Sequence, residues 1–108
     1  MNKVIFFTHE GKTPFKKWLL EQDSTTSARI RRVLARMVAG NLGDCKILAP
    51  NLYETRLFFG GGYRIYYTIQ NGQIVIILCA GDKKTQSKDI EKAKKYLSIL
   101  LGGKNEKK

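Results

Sequence analysis

Residues 62–80 read GYRIYYTIQNGQIVIILCA and hold two apolar runs on either side of Asn71-Gly72. Asparagine-glycine is the strongest two-residue signal for a tight β-hairpin, because both residue types tolerate the positive φ that such a turn needs. The runs Tyr63 to Ile69 and Gln73 to Ala80 are rich in β-branched and aromatic residues. We therefore predict an antiparallel strand pair, and the nearly continuous second run predicts a central strand covered on both faces.

The length of this turn predicts the pairing of the two strands. A two-residue loop places Gln70 opposite Gln73 and thereby fixes every other pair, including Arg64 opposite Cys79. Alternate side chains then point to a core side, where we expect the helices to lie. The core side of this predicted register comprises Ile65, Tyr67, Ile69, Ile74, Ile76 and Leu78.

The remaining elements follow from hydrophobic spacing and from capping residues. Val4 to Phe7 predicts a short strand, and Thr13-Pro14 predicts the start of a short helix. A second helix with apolar residues at helical spacing ends at Gly40-Asn41, Tyr53 to Phe59 predicts another strand, and Ile90 to Leu101 predicts a closing helix. The predicted fold is α+β in the order β-α-α-β-β-β-α, with the helices packed on one face of a small, mostly antiparallel sheet.

Length and charge limit the function classes. The 108 residues leave room for one domain, which we assign to residues 1–101, followed by a charged flexible tail over 102–108. The sequence has 20 Lys and Arg against 9 Asp and Glu residues, a formal net charge of +11. This charge predicts a polyanionic partner: nucleic acid, an anionic membrane surface or an acidic protein.

Other motifs exclude several kinds of protein. The longest apolar run, Ile74 to Ala80, is too short for a signal peptide or a membrane span, so we expect a cytoplasmic protein without membrane contact. Cys45 and Cys79 lie far apart with no CxxC pattern, and His9 is the one histidine that could assist them. We interpret them as reduced thiols and expect neither a metal nor a cofactor.

A second hairpin across the triple-glycine segment predicts a cationic sheet face. If its loop has about four residues, Arg56 lies opposite Tyr66 and Arg64 lies opposite Phe58. Guanidinium groups beside aromatic rings are suited to binding phosphates and stacking on unpaired bases. Arg64 also lies near the following loop, which carries two lysines. The alternative is an ordinary sheet surface next to a lysine-bearing turn that aids solubility.

The order of several motifs resembles a known family. The chain resembles the phage-derived, HigB-like branch of the RelE/ParE superfamily, a group of addiction-module killer proteins. The similar segments are Ala28-Arg29-Ile30-Arg31-Arg32, Gly40-Asn41-Leu42-Gly43-Asp44, Glu54-Thr55-Arg56, Gly62-Tyr63-Arg64-Ile65-Tyr66-Tyr67, Gly81-Asp82-Lys83-Lys84-Thr85-Gln86 and Asp89-Ile90.

This resemblance implies a RelE-like fold and, as in many relatives, a ribosome-dependent ribonuclease that needs no metal. It implies that Arg56 and Arg64 bind and neutralise the scissile phosphate, while Lys83 or Lys84 acts near the 2′-hydroxyl or the leaving oxygen. Further RNA-binding residues would be Lys46 as a weaker candidate, Phe58 and Tyr66 as aromatic contacts, and Asp82 and Gln86 as orienting groups. The chain lacks the histidine pair and the C-terminal catalytic tyrosine of better-known relatives, and Tyr96 is either a core or a site residue.

The resemblance also implies partners, and it leaves alternatives open. We expect a cognate antitoxin, a small helix-turn-helix DNA-binding protein, together with the ribosome and messenger RNA. One alternative is a non-enzymatic, ParE-like inhibitor of DNA gyrase, and another is a regulatory module that only docks an acidic antitoxin. The arginines of the second helix form either a solvated face or a surface for phosphates or the antitoxin; they are Arg29, Arg31, Arg32 and Arg36.

Overall fold

A computed structural model describes residues 1–102 of the chain, and within them the strands form a five-stranded sheet in the order β1-β5-β4-β3-β2. Apart from Gly102, the predicted tail over 102–108 lies outside the described residues. The elements are β1 (Lys3–Phe6), α1 (Pro14–Leu20), α2 (Ser24–Val38), β2 (Asp44–Ala49), β3 (Leu52–Arg56), β4 (Arg64–Gln70), β5 (Ile74–Gly81), a 3₁₀ turn (Lys83–Thr85) and α3 (Gln86–Leu100).

The three predicted helices are confirmed, although α3 begins at Gln86, before the predicted Ile90. Pro14 is the first residue of α1, where a proline leaves no backbone donor unsatisfied. Asp23 caps α2, because its carboxylate accepts a hydrogen bond of 2.7 Å from the backbone N–H of Thr26. Within residues 1–102 no helix combines the length and the apolar character needed to cross a membrane.

Strand β2 is an element that we did not predict, so the observed order is β-α-α-β-β-β-β-α. It forms the sheet edge and pairs antiparallel with β3, with an irregularity between Ile47 and Ala49. Its residues are exposed or half-buried, and Ile47 is 69% exposed. An edge strand with so little burial lacks the apolar alternation by which a strand is predicted from sequence.

The Asn71-Gly72 hairpin is confirmed, but its predicted register is wrong. Both residues have positive φ, 53° and 71°. Gln70 lies opposite Ile74, and a bulge between Tyr66 and Tyr67 shifts the pairs again, so that Arg64 lies opposite Gly81 and not Cys79. Residues from Val75 to Gly81 are all buried. Because β5 is apolar on both faces, its sequence has no alternation that could select one register.

The prediction that all helices lie on one face of the sheet is also wrong. Helices α1 and α2 pack with Tyr67 and Ile77 on one face, whereas α3 packs with Tyr66 and Leu78 on the other. The one-residue slip explains part of the difference, because it moves the side chains from Ile74 to Leu78 to the opposite face, whereas the bulge returns Cys79 and Ala80 to the predicted one. A strand that is apolar on both faces also needs cover on both, which α3 provides.

Candidate functional site

Three of the predicted catalytic residues meet at the end of the sheet. Arg56 ends β3 and Arg64 begins β4, and the two lie directly opposite each other rather than at the offset we predicted. Lys83 comes from the 3₁₀ turn, which the Lys83 backbone N–H ties to the carbonyl of Gly61 at 3.4 Å. All three line a cleft of about 170 Å³, whose other lining residues include Phe58 and Gly62. We call this concavity the cationic cleft.

Arg56 and Phe58 form the exposed side of the cationic cleft. The Arg56 guanidinium carbon lies 5.9 Å from the centre of the Phe58 ring, and Phe58 is 77% exposed. An exposed aromatic ring of this kind can stack on an unpaired base. A guanidinium beside this ring is placed to bind the phosphate that joins such a base.

Arg64 forms the buried side of the cationic cleft, although we predicted it to be exposed. The residue is 8% exposed, and its Nε lies 3.4 Å from Oε2 of Glu54. Its Nη1 donates a hydrogen bond of 3.1 Å to the carbonyl of Gly62. Arg64 therefore presents a small part of its charge to the cleft from a fixed position.

Glu54 holds three of the predicted site residues, a role that the sequence did not reveal. Its carboxylate is fully buried, and besides the Arg64 contact it accepts a hydrogen bond of 3.1 Å from Nε2 of Gln86. Lys46 reaches the other oxygen, with 3.9 Å between Nζ and Oε1. A buried carboxylate is tolerated only when it is paired, so these contacts stabilise one another. The signal in the sequence was its position two residues before Arg56, which places both side chains on one sheet face.

Tyr66 is the one predicted RNA-binding residue that the fold makes inaccessible. The side chain is fully buried under α3, and the hydroxyl has no hydrogen-bond partner among residues 1–102. Burial raises the pKa of Tyr66 above its ordinary value, and the charge of Glu54 raises it further. The prediction of an exposed Tyr66 is wrong because α3 covers the face on which it lies.

Asp82 organises the lysine-bearing turn. Its Oδ1 accepts hydrogen bonds from the backbone N–H groups of Lys84 and Thr85, at 2.9 and 3.2 Å. The Thr85 hydroxyl accepts in return from the Asp82 N–H at 3.4 Å, which completes a reciprocal cap. Lys83 and Lys84 are both exposed on this turn, but Lys83 lines the cationic cleft and Lys84 does not.

Comparison with known proteins shows the family. Residues 17–98 match the family model described as phage-derived protein, Gp49-like. The chain belongs to this Gp49-like family. It is a toxin-like family of the RelE/HigB type, and the matched segment contains every predicted site residue. The chain is also similar to an uncharacterized protein of Haemophilus influenzae, with 43% identity over 81 residues that cover 74% of this chain and 82% of the relative.

The Gp49-like chain has a second basic surface on α2. Its four arginines are exposed, and the Arg29 guanidinium lies 4.9 Å from the centre of the Phe59 ring. Arg31 donates a hydrogen bond of 3.3 Å to the Ser27 hydroxyl. In the part of the chain that the structure describes, none of these arginines forms an ion pair with a carboxylate. This surface can therefore accept an external anion without breaking an internal pair.

Metal binding has no support in the described part of this Gp49-like protein. Across residues 1–102 no three His, Cys, Asp or Glu side chains are grouped so that they could hold a metal ion. Cys45 and Cys79 are both unbridged thiols.

Proposed function

We propose that the chain is the toxin of a type II toxin–antitoxin pair and that it cuts messenger RNA on the ribosome. The observation that carries this proposal is the meeting of Arg56, Arg64 and Lys83 in one cleft beside the exposed ring of Phe58. Membership of a Gp49-like, toxin-like family supports it. The net charge of +11 suits an RNA substrate as well as an acidic antitoxin that covers the cationic cleft.

The proposed reaction is attack of a ribose 2′-hydroxyl on its own 3′-phosphate. The bond from the 2′-oxygen to phosphorus forms while the bond from phosphorus to the 5′-oxygen breaks, leaving a 2′,3′-cyclic phosphate and a 5′-hydroxyl. Arg56 and Arg64 neutralise the additional charge on the phosphoryl oxygens. Solvent water accepts the proton of the 2′-hydroxyl, and Lys83 gives a proton to the leaving oxygen. Lys83 suits this role better than Lys84 because it lines the cationic cleft.

Glu54 supports this chemistry by preorganising the cationic cleft. Its contacts hold Arg64 and Gln86 in place before substrate arrives, so little reorganisation is needed as charge develops. In-line placement and charge stabilisation supply most of the rate enhancement in such a reaction, and neither needs a strong base.

The test is messenger RNA cleavage in a translating extract, mapped by primer extension. We expect Arg56→Ala and Lys83→Ala each to lower the cleavage rate by roughly 10²- to 10³-fold, as loss of one stabilising group does elsewhere. Lys84→Ala is the matched control on the same turn, with a smaller expected loss. The proposal fails if Arg56→Ala cuts at the wild-type rate. Intact messenger RNA together with accumulated cleaved DNA–gyrase complexes would instead support a ParE-like inhibitor.

A further inference from the structure

A larger concavity, of about 770 Å³, borders the same 3₁₀ turn as the cationic cleft. Asp82 and Thr85 line it, whereas Lys83 between them lines the cationic cleft. The other walls come from the segment 9–14, from α1 and from the first turns of α3, at the end of β5. We call this concavity the α1–α3 groove.

The groove contains a buried carboxylate, that of Asp89. The residue is 7% exposed, and its Oδ2 accepts a hydrogen bond from the Thr85 hydroxyl. Among residues 1–102 no other donor is hydrogen-bonded to this carboxylate. Gly81 makes room for it, because a Cβ built at Gly81 would lie 1.8 Å from Asp89 Oδ2. A carboxylate buried with one donor retains acceptor capacity that a ligand with N–H groups would satisfy.

Aromatic rings and lysines complete the groove. His9, Trp18 and Tyr96 line it, and the Tyr96 ring lies 5.2 Å from that of buried Phe7. The exposed lysines that line it are Lys12, Lys17 and Lys92. Flat apolar walls suit a planar ring, and unpaired lysines suit a phosphate.

The groove carries charged groups of both signs, which suits a ligand that has both an anionic group and N–H donors. Four carboxylates line the groove, but that of Glu10 lies 3.5 Å from His9, and that of Asp82 caps the 3₁₀ turn. Glu21 and Asp89 are the other two carboxylates, and three lysines line the same groove. A planar, phosphate-bearing ligand with N–H donors fits this set of groups.

We propose that the α1–α3 groove binds a guanine nucleotide of the RNA strand whose phosphate occupies the cationic cleft. The inference rests on the proposed function, since it gives that reaction a base-reading site. Guanine presents two adjacent donors, N1–H and N2–H, which match a carboxylate that only accepts. Adenine and uracil carry a hydrogen-bond acceptor beside their donor. That acceptor would face a carboxylate oxygen and be repelled by it.

The test uses mononucleotides and needs no ribosome. Trp18 is the one tryptophan of the chain and lines the groove, so its indole N–H signal in an NMR titration reports on the site. We expect saturable binding of GMP, with dissociation constants for AMP, CMP and UMP about tenfold larger or more. Equal binding of all four nucleotides, or no response to GMP, overturns the inference. A response to an arginine-rich peptide and none to GMP overturns it too, and assigns the groove to a cationic protein segment.

Variants separate base reading from general attraction. Asp89→Asn should lower the affinity for GMP to that for AMP, because an amide offers one acceptor and one donor where the carboxylate offers two acceptors. Glu91→Gln is the control, an equal change of charge at an exposed position of α3. The double variant Lys17→Ala, Lys92→Ala should weaken the binding of GMP and leave the binding of guanosine unchanged. This comparison stays informative if Asp89→Asn does not fold. Messenger RNA cleavage without guanine selectivity defeats this inference alone, whereas GMP selectivity without cleavage defeats the proposed function.

Discussion

Glu54 contacts more of the predicted site residues than any of the cationic residues does. Its buried carboxylate contacts Arg64, Gln86 and Lys46, which come from β4, from α3 and from the edge strand β2. The Arg64 Nε lies within ion-pair distance but does not meet hydrogen-bond geometry, and Oε1 of Glu54 likewise has no hydrogen bond within residues 1–102. The pair therefore depends on charge attraction, and each partner is costly without the other.

Removal of the Glu54 charge should accordingly destabilise the fold. We expect Glu54→Gln to lower the free energy of unfolding by roughly 3 kcal/mol or more, because it leaves Arg64 buried and unpaired. Urea denaturation measures the change, with exposed Glu91→Gln as the matched control. Glu54→Gln with Arg64→Met should recover part of the loss. A double variant less stable than Glu54→Gln alone would contradict this account.

Cys79 should make stability depend on pH in the alkaline range. Burial raises the pKa of its thiol from 9.0 to about 12, so between these values the unfolded chain loses a proton that the folded chain keeps. The contribution of the protonated Cys79 thiol to the free energy of unfolding is complete below the unfolded-state pKa, and it falls as pH rises through this window. The stability difference between wild type and Cys79→Ala, measured by urea unfolding, should therefore shrink from neutral pH to about pH 10. An unchanged difference would contradict it.

Among the elements, those with local signals were predictable and those set by distant contacts were not. Pro14 and the Asn71-Gly72 turn are short-range features, and each lies where it was expected. The register of β5 depends on a bulge and on helices that cover both of its faces, neither of which its apolar sequence specifies.

The same distinction applies to the candidate site. The shared face of Arg56 and Arg64 followed from period-two alternation, and the closeness of Lys83 followed from where β5 ends. The burial of Arg64 and Tyr66 did not follow, and that of Tyr66 depends on where α3 packs. The α1–α3 groove joins segments far apart in the chain, and no local pattern marks it.

Turn geometry gives a test of the hairpin. Gly72 has a φ of +71°, whereas Gly61 is not in the left-handed region and has ordinary space for a Cβ. We expect Gly72→Ala to cost about 1 to 2 kcal/mol, since an L side chain strains this backbone. Gly61→Ala should be near neutral. Thermal unfolding of both variants decides the matter, and equal losses would show that backbone strain is not the cause.

At the scale of the whole molecule, the net charge of +11 should make RNA binding strongly dependent on salt. The logarithm of affinity for single-stranded RNA should fall linearly with the logarithm of salt concentration, and Arg56→Ala should reduce the slope by about 0.7. Replacing the four arginines of α2 with alanine and measuring the same slope tests whether that surface contacts RNA. A reduced slope would indicate phosphate contacts, and an unchanged slope would indicate a solvated face.

The parallel pairing of β1 with β5 affects when the fold can be completed during synthesis. Lys3–Phe6 is synthesised well before its partner strand, which ends at Gly81. At typical elongation rates the strand waits roughly 4 to 15 s for that partner. Gln86 and Lys83, which complete the contacts around Glu54 and Arg56, are translated later still. The sheet therefore cannot be complete before Gly81 has been synthesised, nor can the cationic cleft with its Glu54 contacts be complete before Gln86 has been.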